Sequence, residues 1–168
     1  MKFQFLLIVL LVFSGCGYSP ASHYAQNIVG KSVSTEVAIR VEDPQNTVII
    51  KDAVDTAVIT KFRASLVSKA SSQTHLKFQI ASVSFTPLRY DTNGYVITYR
   101  TSVAMQIERI SLADKSNYNV SGVYDFTIEP NAIISDQARF DAIAFASQKA
   151  IDAFLAQVAS QGTKSLKE

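Results

Sequence analysis

Few side chains in this sequence of 168 residues are suited to covalent or metal chemistry. There is one cysteine, Cys16, and the two histidines, His23 and His75, have no second histidine or cysteine at a spacing typical of metal ligands. The serines lack the G-x-S-x-G motif of a hydrolase, the six glycines are dispersed rather than gathered in a phosphate-binding loop, and the carboxylates are scattered. These observations favour a protein that is not an enzyme, holds no metal and has no dissociable cofactor.

Cys16 follows a segment typical of a secretory signal peptide. Lys2 supplies a positive charge, residues 3–13 are almost entirely apolar, and the small residue Gly15 precedes the cysteine. The run is too short to span a membrane, which takes about 20 apolar residues. It is also apolar on every side, unlike the amphipathic core helix that is the alternative. We therefore predict that residues 1–15 are a signal peptide, cleaved between Gly15 and Cys16.

The residues from Phe13 to Cys16 resemble the bacterial lipobox, in which cleavage before the cysteine is coupled to lipidation of its thiol. On that resemblance Cys16 carries an S-diacylglycerol group and an N-acyl chain. Each buried methylene contributes about 0.8 kcal/mol, and a single chain anchors only marginally, so several chains give a stable anchor. Gly17 in place of an aspartate favours the outer membrane, on its periplasmic side, by the sorting rule of enteric bacteria. Residues 16–34, rich in small and polar side chains, are predicted to form the lipidated tether.

The charge balance gives no indication of a nucleic-acid partner. The chain has 16 basic and 14 acidic residues, a formal net charge of +2, whereas a nucleic-acid-binding domain would be clearly basic. Because the single cysteine is assigned to the anchor, no disulfide can form within the chain. The domain must depend on its core, and 48% hydrophobic residues suffice to build one.

Alternating apolar residues predict four strands, at about 35–42, 76–90, 95–108 and 118–128. The alternation changes parity between Ile80 and Val83, which indicates a bulge, and Asn93-Gly94 predicts a hairpin turn. Apolar residues at four-residue spacing predict an amphipathic helix over about 50–70. A second helix is predicted over 135–159, with an apolar face that begins at Phe140, an N-cap at Ser135 and a stop at Gly162.

These elements predict an α/β (α+β) fold, a two-layer sandwich in which a four-stranded mixed sheet is covered by two helices in the order β-α-β-β-β-α. The first helix would form a right-handed crossover, making the first two strands parallel if they are neighbours. A single domain is expected over residues 35–162, followed by a disordered tail at 163–168.

Basic and aromatic residues near the strand ends are candidates for lipid contact. The basic set consists of solvated surface charges or of contacts to anionic head groups, since lysine and arginine pair well with phosphates. The aromatic set forms the core beneath the helices or a surface for acyl chains or a partner protein. The basic residues are Arg89, Arg100, Arg109 and Lys115, and the aromatic ones are Tyr95, Tyr99, Tyr118, Tyr124 and Phe126.

Taken together, the order and spacing of these features resemble the LptE family of lipopolysaccharide-assembly lipoproteins. The resemblance rests on Cys16-Gly17-Tyr18, on the strand NGYVITYRTSVAM after the hairpin turn, and on YNVSGVYDFTIEPNAIISDQARFDAIAFASQKAIDAFLAQVA. It implies a non-enzymatic protein anchored to the inner leaflet of the outer membrane. Such a protein plugs the lumen of the LptD β-barrel, assists the barrel's assembly and binds lipopolysaccharide during export.

The resemblance also suggests site residues. Enteric members have a basic residue just before the Asn-Gly turn, where this chain has Thr92, so Arg89 is the nearest equivalent. Arg89, Arg100 and Lys115 are therefore the candidate lipopolysaccharide contacts, and Asn93 and Gly94 form the candidate barrel-contact hairpin.

Two other classes of function remain open at this point. A lipoprotein subunit of an inter-membrane lipid or efflux ABC transport system would also use a small α/β domain, and co-purification with an ABC transporter would favour it. A periplasmic hydrolase would need a reactive centre, which the sequence does not show, and a mutation of His75 without loss of function would exclude this class.

Overall fold

The computed structural model describes residues 25–26, 28–38, 44–112 and 114–165. The predicted signal peptide, its cleavage site and the predicted lipid-bearing Cys16 lie outside the described residues. Five strands, one 3-10 turn and two long helices are described: β1 (Ser32–Ala38), α1 (Pro44–Thr60), β2 (Ser65–Leu66), a 3-10 turn (Lys69–Ser71), β3 (Thr74–Tyr90), β4 (Val96–Ser111), β5 (Lys115–Thr127) and α2 (Asp136–Ser165).

The strands form one sheet in the order β2-β1-β3-β4-β5. β1 pairs in parallel with β3, as the crossover predicts, and β3, β4 and β5 form an antiparallel meander. The α+β fold is confirmed, with five strands instead of four. The additional strand, β2, contributes only two residues, paired in parallel with β1, and is too short to show a period-2 pattern.

Both long helices lie on one face of the sheet, and the core lies between the two layers. Phe154 of α2 is fully buried at its centre, with its ring centroid 5.6 Å from Phe62, 6.3 Å from Phe78 and 5.0 Å from Tyr118. Burying one aromatic side chain of this kind contributes about 1.5–3 kcal/mol. Alternate residues of the two central strands supply the sheet side of the core: Leu76, Phe78, Ile80, Val103, Met105 and Ile107.

α2 approaches β5 closely because β5 has a glycine beneath it. A Cβ atom at Gly122 would collide with the backbone carbonyl oxygen of Ala146 and the backbone nitrogen of Ala150. Ala146 and Ala150 are themselves fully buried. The contact between helix and strand therefore requires small residues on both sides.

The first helix differs from its prediction at both ends. It begins at Pro44, before the predicted start at about residue 50, since proline is tolerated in the first turn of a helix. It ends at Thr60, and Arg63 adopts a positive φ of 52° that reverses the chain. Phe62 and Leu66 continue the four-residue spacing by coincidence, because Phe62 is buried after the helix ends and Leu66 lies in β2.

The other differences concern the ends of the domain. β1 begins at Ser32, and before it Ala25 and Val29 are buried in the core, although residues 16–34 were predicted to be a tether. α2 passes the predicted stop at Gly162 and reaches Ser165, and residues 166–168 lie outside the described part. Phe140, predicted to be in the buried face of α2, is 47% exposed. Its position in the first turns of α2 leaves it near the rim of the packed layer.

Candidate functional site: the hairpin end and the uncovered sheet face

The β3–β4 hairpin extends well beyond the core. From residue 86 to residue 97 no side chain is buried, and the two strands have 17 and 16 residues, which at ~3.3 Å per residue gives about 50 Å of length. Three register shifts bend β3, one between Ile80 and Ser82, where the change of parity predicted a bulge, and two near the tip. Residues 86–97 of the hairpin therefore form a projecting arm whose side chains do not support the core.

Asp91 organises the turn at the tip. Its Oδ1 accepts hydrogen bonds from the backbone N–H of Asn93 (2.9 Å) and of Tyr95 (2.8 Å). Gly94 has a φ of 87°, a conformation that glycine adopts at little cost. The sequence therefore placed the turn at Asn93 and Gly94 correctly, whereas the fixing role of Asp91 is visible only in the structure.

Large apolar side chains are exposed along this arm: Leu88 (39%), Tyr90 (59%) and Tyr95 (45%). Arg89 lies among them and is exposed, with no ion pair to any described residue. An adjoining groove of about 570 Å³ combines charged, hydroxyl and aromatic groups. Its lining residues are Leu88, Arg89, Thr98, Tyr124, Asp125, Phe126 and Thr127. Such a combination suits an amphipathic ligand with an anionic group.

An aromatic cluster continues from this groove beneath the start of α2. Tyr124 lies 4.8 Å from Phe145, and Phe126 lies 6.0 Å from Tyr99, in each case between ring centroids. The guanidinium carbon of Arg139 lies 4.9 Å from the centroid of Phe85, a cation–π contact. Of the aromatic residues predicted from sequence, Tyr118 is in the core, whereas Tyr95 is exposed.

Arg100 lies on the face of the sheet that neither described helix covers. Its Nε and Nη2 donate to the two carboxylate oxygens of Asp125, both at 2.7 Å, in a bidentate pair across β4 and β5. The hydrogen bonds from Arg100 lower the pKa of Asp125, and the same contact raises the pKa of Arg100. Arg100 is therefore already engaged within the chain.

Lys115 lies at the other end of the same face, in an ion pair with Glu108. The hydrogen bond from Lys115 lowers the pKa of Glu108. Lys115 is opposite Ile110 of β4, about ten residues from Arg100, or roughly 33 Å along the strand. The structure thus brings Arg89 and Arg100 to the same half of the sheet and leaves Lys115 remote from both.

Arg109 is not a surface charge, in contrast to the sequence interpretation of the basic set. It is 5% exposed, and its Nη2 lies 2.5 Å from Oδ1 of Asp114, while its Nη1 donates to the carbonyl of Ile28 at 3.3 Å. It thereby fastens the segment before β1 to the end of β4. Only the fold brings these three residues together, so spacing in the sequence gave no signal.

His75 lies in a network on the uncovered face. Its Nδ1 is 2.9 Å from Oγ of Ser34, and its Nε2 is 3.3 Å from a carboxylate oxygen of Glu36. The order serine, histidine, carboxylate is that of a nucleophilic triad, but Ser34 is 4% and His75 7% exposed. The hydroxyl of Ser34 also donates to Oγ of Ser72 at 2.9 Å. With both groups buried, the network holds β1 to β3 and offers a substrate no access.

Two kinds of site or segment are absent from the described residues. No group of three or more histidine, cysteine, aspartate or glutamate side chains in them is arranged to hold a metal ion. No helix within the described ranges is long and apolar enough to cross a bilayer.

The described domain is similar to a known protein family. The sequence matches the model of the family described as "LptE: Lipopolysaccharide-assembly" over residues 35–158. A search of curated proteins gave no match.

Solved structures similar to this chain include rare lipoprotein B from Shewanella oneidensis, with 10% identity, a TM-score of 0.50, and coverage of 82% of this chain and 99% of that one. A candidate lipoprotein from Caulobacter crescentus CB15 has 14% identity, a TM-score of 0.50, and coverage of 86% of this chain and 96% of that one. At these identities the likeness concerns the fold.

Proposed function

Because this chain belongs to the LptE family of lipopolysaccharide-assembly proteins, we propose that it is a non-enzymatic outer-membrane lipoprotein that forms a plug complex with an LptD-type β-barrel. In that complex it assists assembly of the barrel and the transport of lipopolysaccharide to the outer leaflet. The single observation that carries the proposal is the family match, which runs from β1 to α2 and so spans the sheet and both long helices.

The proposed anchor is Cys16, bearing the N-acyl and S-diacylglycerol groups and inserted in the inner leaflet of the outer membrane. The described residues before β1, of which Ala25 and Val29 are buried in the core, lead into Ser32 at the end of the sheet where Val33 pairs with Thr74 at the start of β3. The hairpin lies at the far end of that same strand. The described residues that precede β1 and the arm therefore lie at opposite ends of the sheet, which supports an arm directed away from the leaflet that holds the anchor.

Within the complex, we assign the hairpin turn at Asn93 and Gly94 to barrel contact and Arg89 to contact with an anionic group of lipopolysaccharide. Arg89 is supported by its exposure and by its free charge beside apolar side chains. Arg100 and Lys115 remain candidate contacts, but each must share or release its carboxylate partner to bind a phosphate.

The decisive experiment is isolation of the native protein from outer membranes, followed by identification of what co-purifies. An LptD-like barrel is the expected partner. Recovery of an ABC transporter without a barrel would favour the transport-subunit function instead.

Depletion of the protein supplies the functional test. Surface lipopolysaccharide and correctly folded barrel should both decrease after depletion. A matched strain expressing Cys16→Ser reports on the anchor separately, because it retains the described domain and lacks the acylated thiol. Unchanged surface lipopolysaccharide after full depletion would contradict the proposal.

A further inference from the structure

β5 is an edge strand whose outer backbone groups have almost no partner in the described part of the chain. It is the last strand of the sheet, and Ile128 continues its pairing with β4 by donating its N–H to the carbonyl of Ile97 at 3.1 Å. Inward and outward backbone groups alternate along an antiparallel strand. Even-numbered residues of β5 therefore bond to β4, and odd-numbered residues direct both N–H and C=O outward.

One side-chain contact confirms this alternation. Nε2 of Gln157 in α2 lies 3.5 Å from the carbonyl oxygen of Asn119, an odd-numbered residue. This hydrogen bond joins α2 to the outer edge of the strand. The outward-directed residues are Asn117, Asn119, Ser121, Val123 and Asp125.

The edge lacks several of the features by which proteins usually prevent strand addition, although it has Lys115 and Asp125 near its ends. Edge strands are commonly short, bulged, interrupted by proline, covered by a helix or given charged side chains, lysine above all. β5 has 13 residues and no proline, and its register with β4 runs without a shift from Lys115 to Thr127. The opposite edge, β2, has only two residues.

The side chains along this edge are complementary to a second copy of themselves. The charged residues of β5 stand near its two ends, Lys115 at the start and Asp125 towards the finish, with uncharged residues between them. In an antiparallel pair of two β5 strands, the register that opposes Asn119 to Ser121 also opposes Lys115, which is ion-paired with Glu108, to Asp125, which is ion-paired with Arg100. Charges of like sign on the two β5 strands therefore do not face each other at either end of the pair. Among the outward-directed residues, Val123 is 49% exposed, and on the other face of β5 Phe145 of α2, which contacts Tyr124, is 45% exposed.

We propose that β5 is a self-association edge, through which two copies of this chain join antiparallel into one continuous sheet about a two-fold axis near Val120. The odd-numbered residues of β5 supply the new ladder of backbone hydrogen bonds, and the pairing is isologous, as in most homodimers. The inference is independent of the proposed function, because it rests on this edge alone.

The test uses the full mature protein, purified in detergent, and measures its mass and its amide hydrogen exchange over a wide range of concentration. A dimer is expected at high concentration, with the outward amides of Asn119, Ser121 and Val123 protected only under those conditions. A monomer at every concentration would overturn the inference. So would a dimer in which these amides exchange as fast as in the monomer.

Ser121→Pro is the informative variant, because proline there removes an outward donor and leaves the bonds to β4 in place. The variant should be monomeric with unchanged circular dichroism, while the matched control Ser121→Ala should still dimerise. A folded Ser121→Pro protein that still dimerises would contradict the proposal. So would a wild-type monomer that captures a barrel by an interaction lost in Ser121→Pro, since the edge would then belong to that partner. If Ser121→Pro does not fold, the exchange measurement on the wild-type protein decides alone.

Discussion

At the level of single residues, the Arg100–Asp125 pair makes the free energy of unfolding depend on pH. Arg100 lowers the pKa of Asp125 in the folded protein. The contribution of the pair to stability is therefore fully present above the pKa of an aspartate in the unfolded chain, about 3.9, and is lost as the pH falls through the lower pKa of Asp125 in the folded protein. Asp125→Asn should therefore destabilise the protein near neutral pH, with a difference from wild type that shrinks below about pH 4.

Denaturant titrations at several pH values measure this effect, and Arg100→Gln is the matched background. In the Arg100→Gln background, Asp125→Asn should have little effect on stability at any of these pH values, because a double-mutant cycle isolates the interaction between the two residues. An equal and pH-independent loss in both backgrounds would show that Asp125 acts through something other than Arg100.

Arg89 and Lys115 provide a second comparison between residues. Arg89 is unpaired among the described residues and lies beside apolar side chains, whereas Lys115 is held by Glu108 at the other end of the sheet. Arg89→Ala should weaken retention of lipopolysaccharide by about twofold to fivefold, the upper part of the range for one exposed charge-assisted contact. Lys115→Ala should have a smaller effect, measured by the same binding assay on the purified protein. Equal losses for the two variants would remove the distinction between them.

At the level of elements, the contact between β5 and α2 depends on Gly122. A methyl group there meets backbone atoms of Ala146 and Ala150, which cannot rotate away as a side chain would. Gly122→Ala should lower the free energy of unfolding by roughly 1–3 kcal/mol or more, the usual cost of overpacking. Ser121→Ala, next to it on the uncovered face, is the control and should change stability by less than about 0.5 kcal/mol. Chemical denaturation distinguishes the two outcomes.

The elements that can be predicted from the sequence are those in which apolar residues recur with one period over a long segment. β4 shows this best, because Tyr99 to Ile107 alternate without interruption and one of its faces is buried. Asn93-Gly94 and the change of parity after Ile80 are equally local signals, and both are confirmed by the register of the hairpin. The end of a helix is marked less clearly in a sequence. Because Phe62 keeps the four-residue spacing of apolar residues, the first helix was predicted to continue beyond its end at Thr60.

The candidate site is less predictable than the fold because its charges depend on pairs formed between strands. Arg100 is matched to Asp125, and Arg109 to Asp114 and the carbonyl of Ile28, only once the sheet has assembled. From sequence these arginines are equivalent to Arg89. Tertiary structure separates them into one buried residue, one paired residue and one free residue.

At the level of the whole molecule, the protein combines a base, the part of the sheet packed against the two helices, with an arm that does not contribute to the core. No residue from 86 to 97 has a buried side chain, and the buried apolar residues of the two hairpin strands lie nearer the base, from Leu76 to Ile80 and from Val103 to Ile107. Stability and the proposed function should therefore be separable. Replacing residues 88–98 with a two-residue Asn-Gly turn, between the paired Pro87 and Tyr99, shortens the arm at a point where register is maintained.

The shortened protein should unfold with a free energy within about 1 kcal/mol of wild type, because little apolar surface is lost from the core. If the arm makes the barrel and lipid contacts proposed for it, capture of the barrel and surface lipopolysaccharide should both fall sharply in cells that express only this variant. A full-length variant with Arg89→Ala separates loss of lipid contact from loss of barrel contact, since it retains the turn at Asn93 and Gly94. Normal barrel capture by a stable, shortened protein would place the barrel contact elsewhere on the domain.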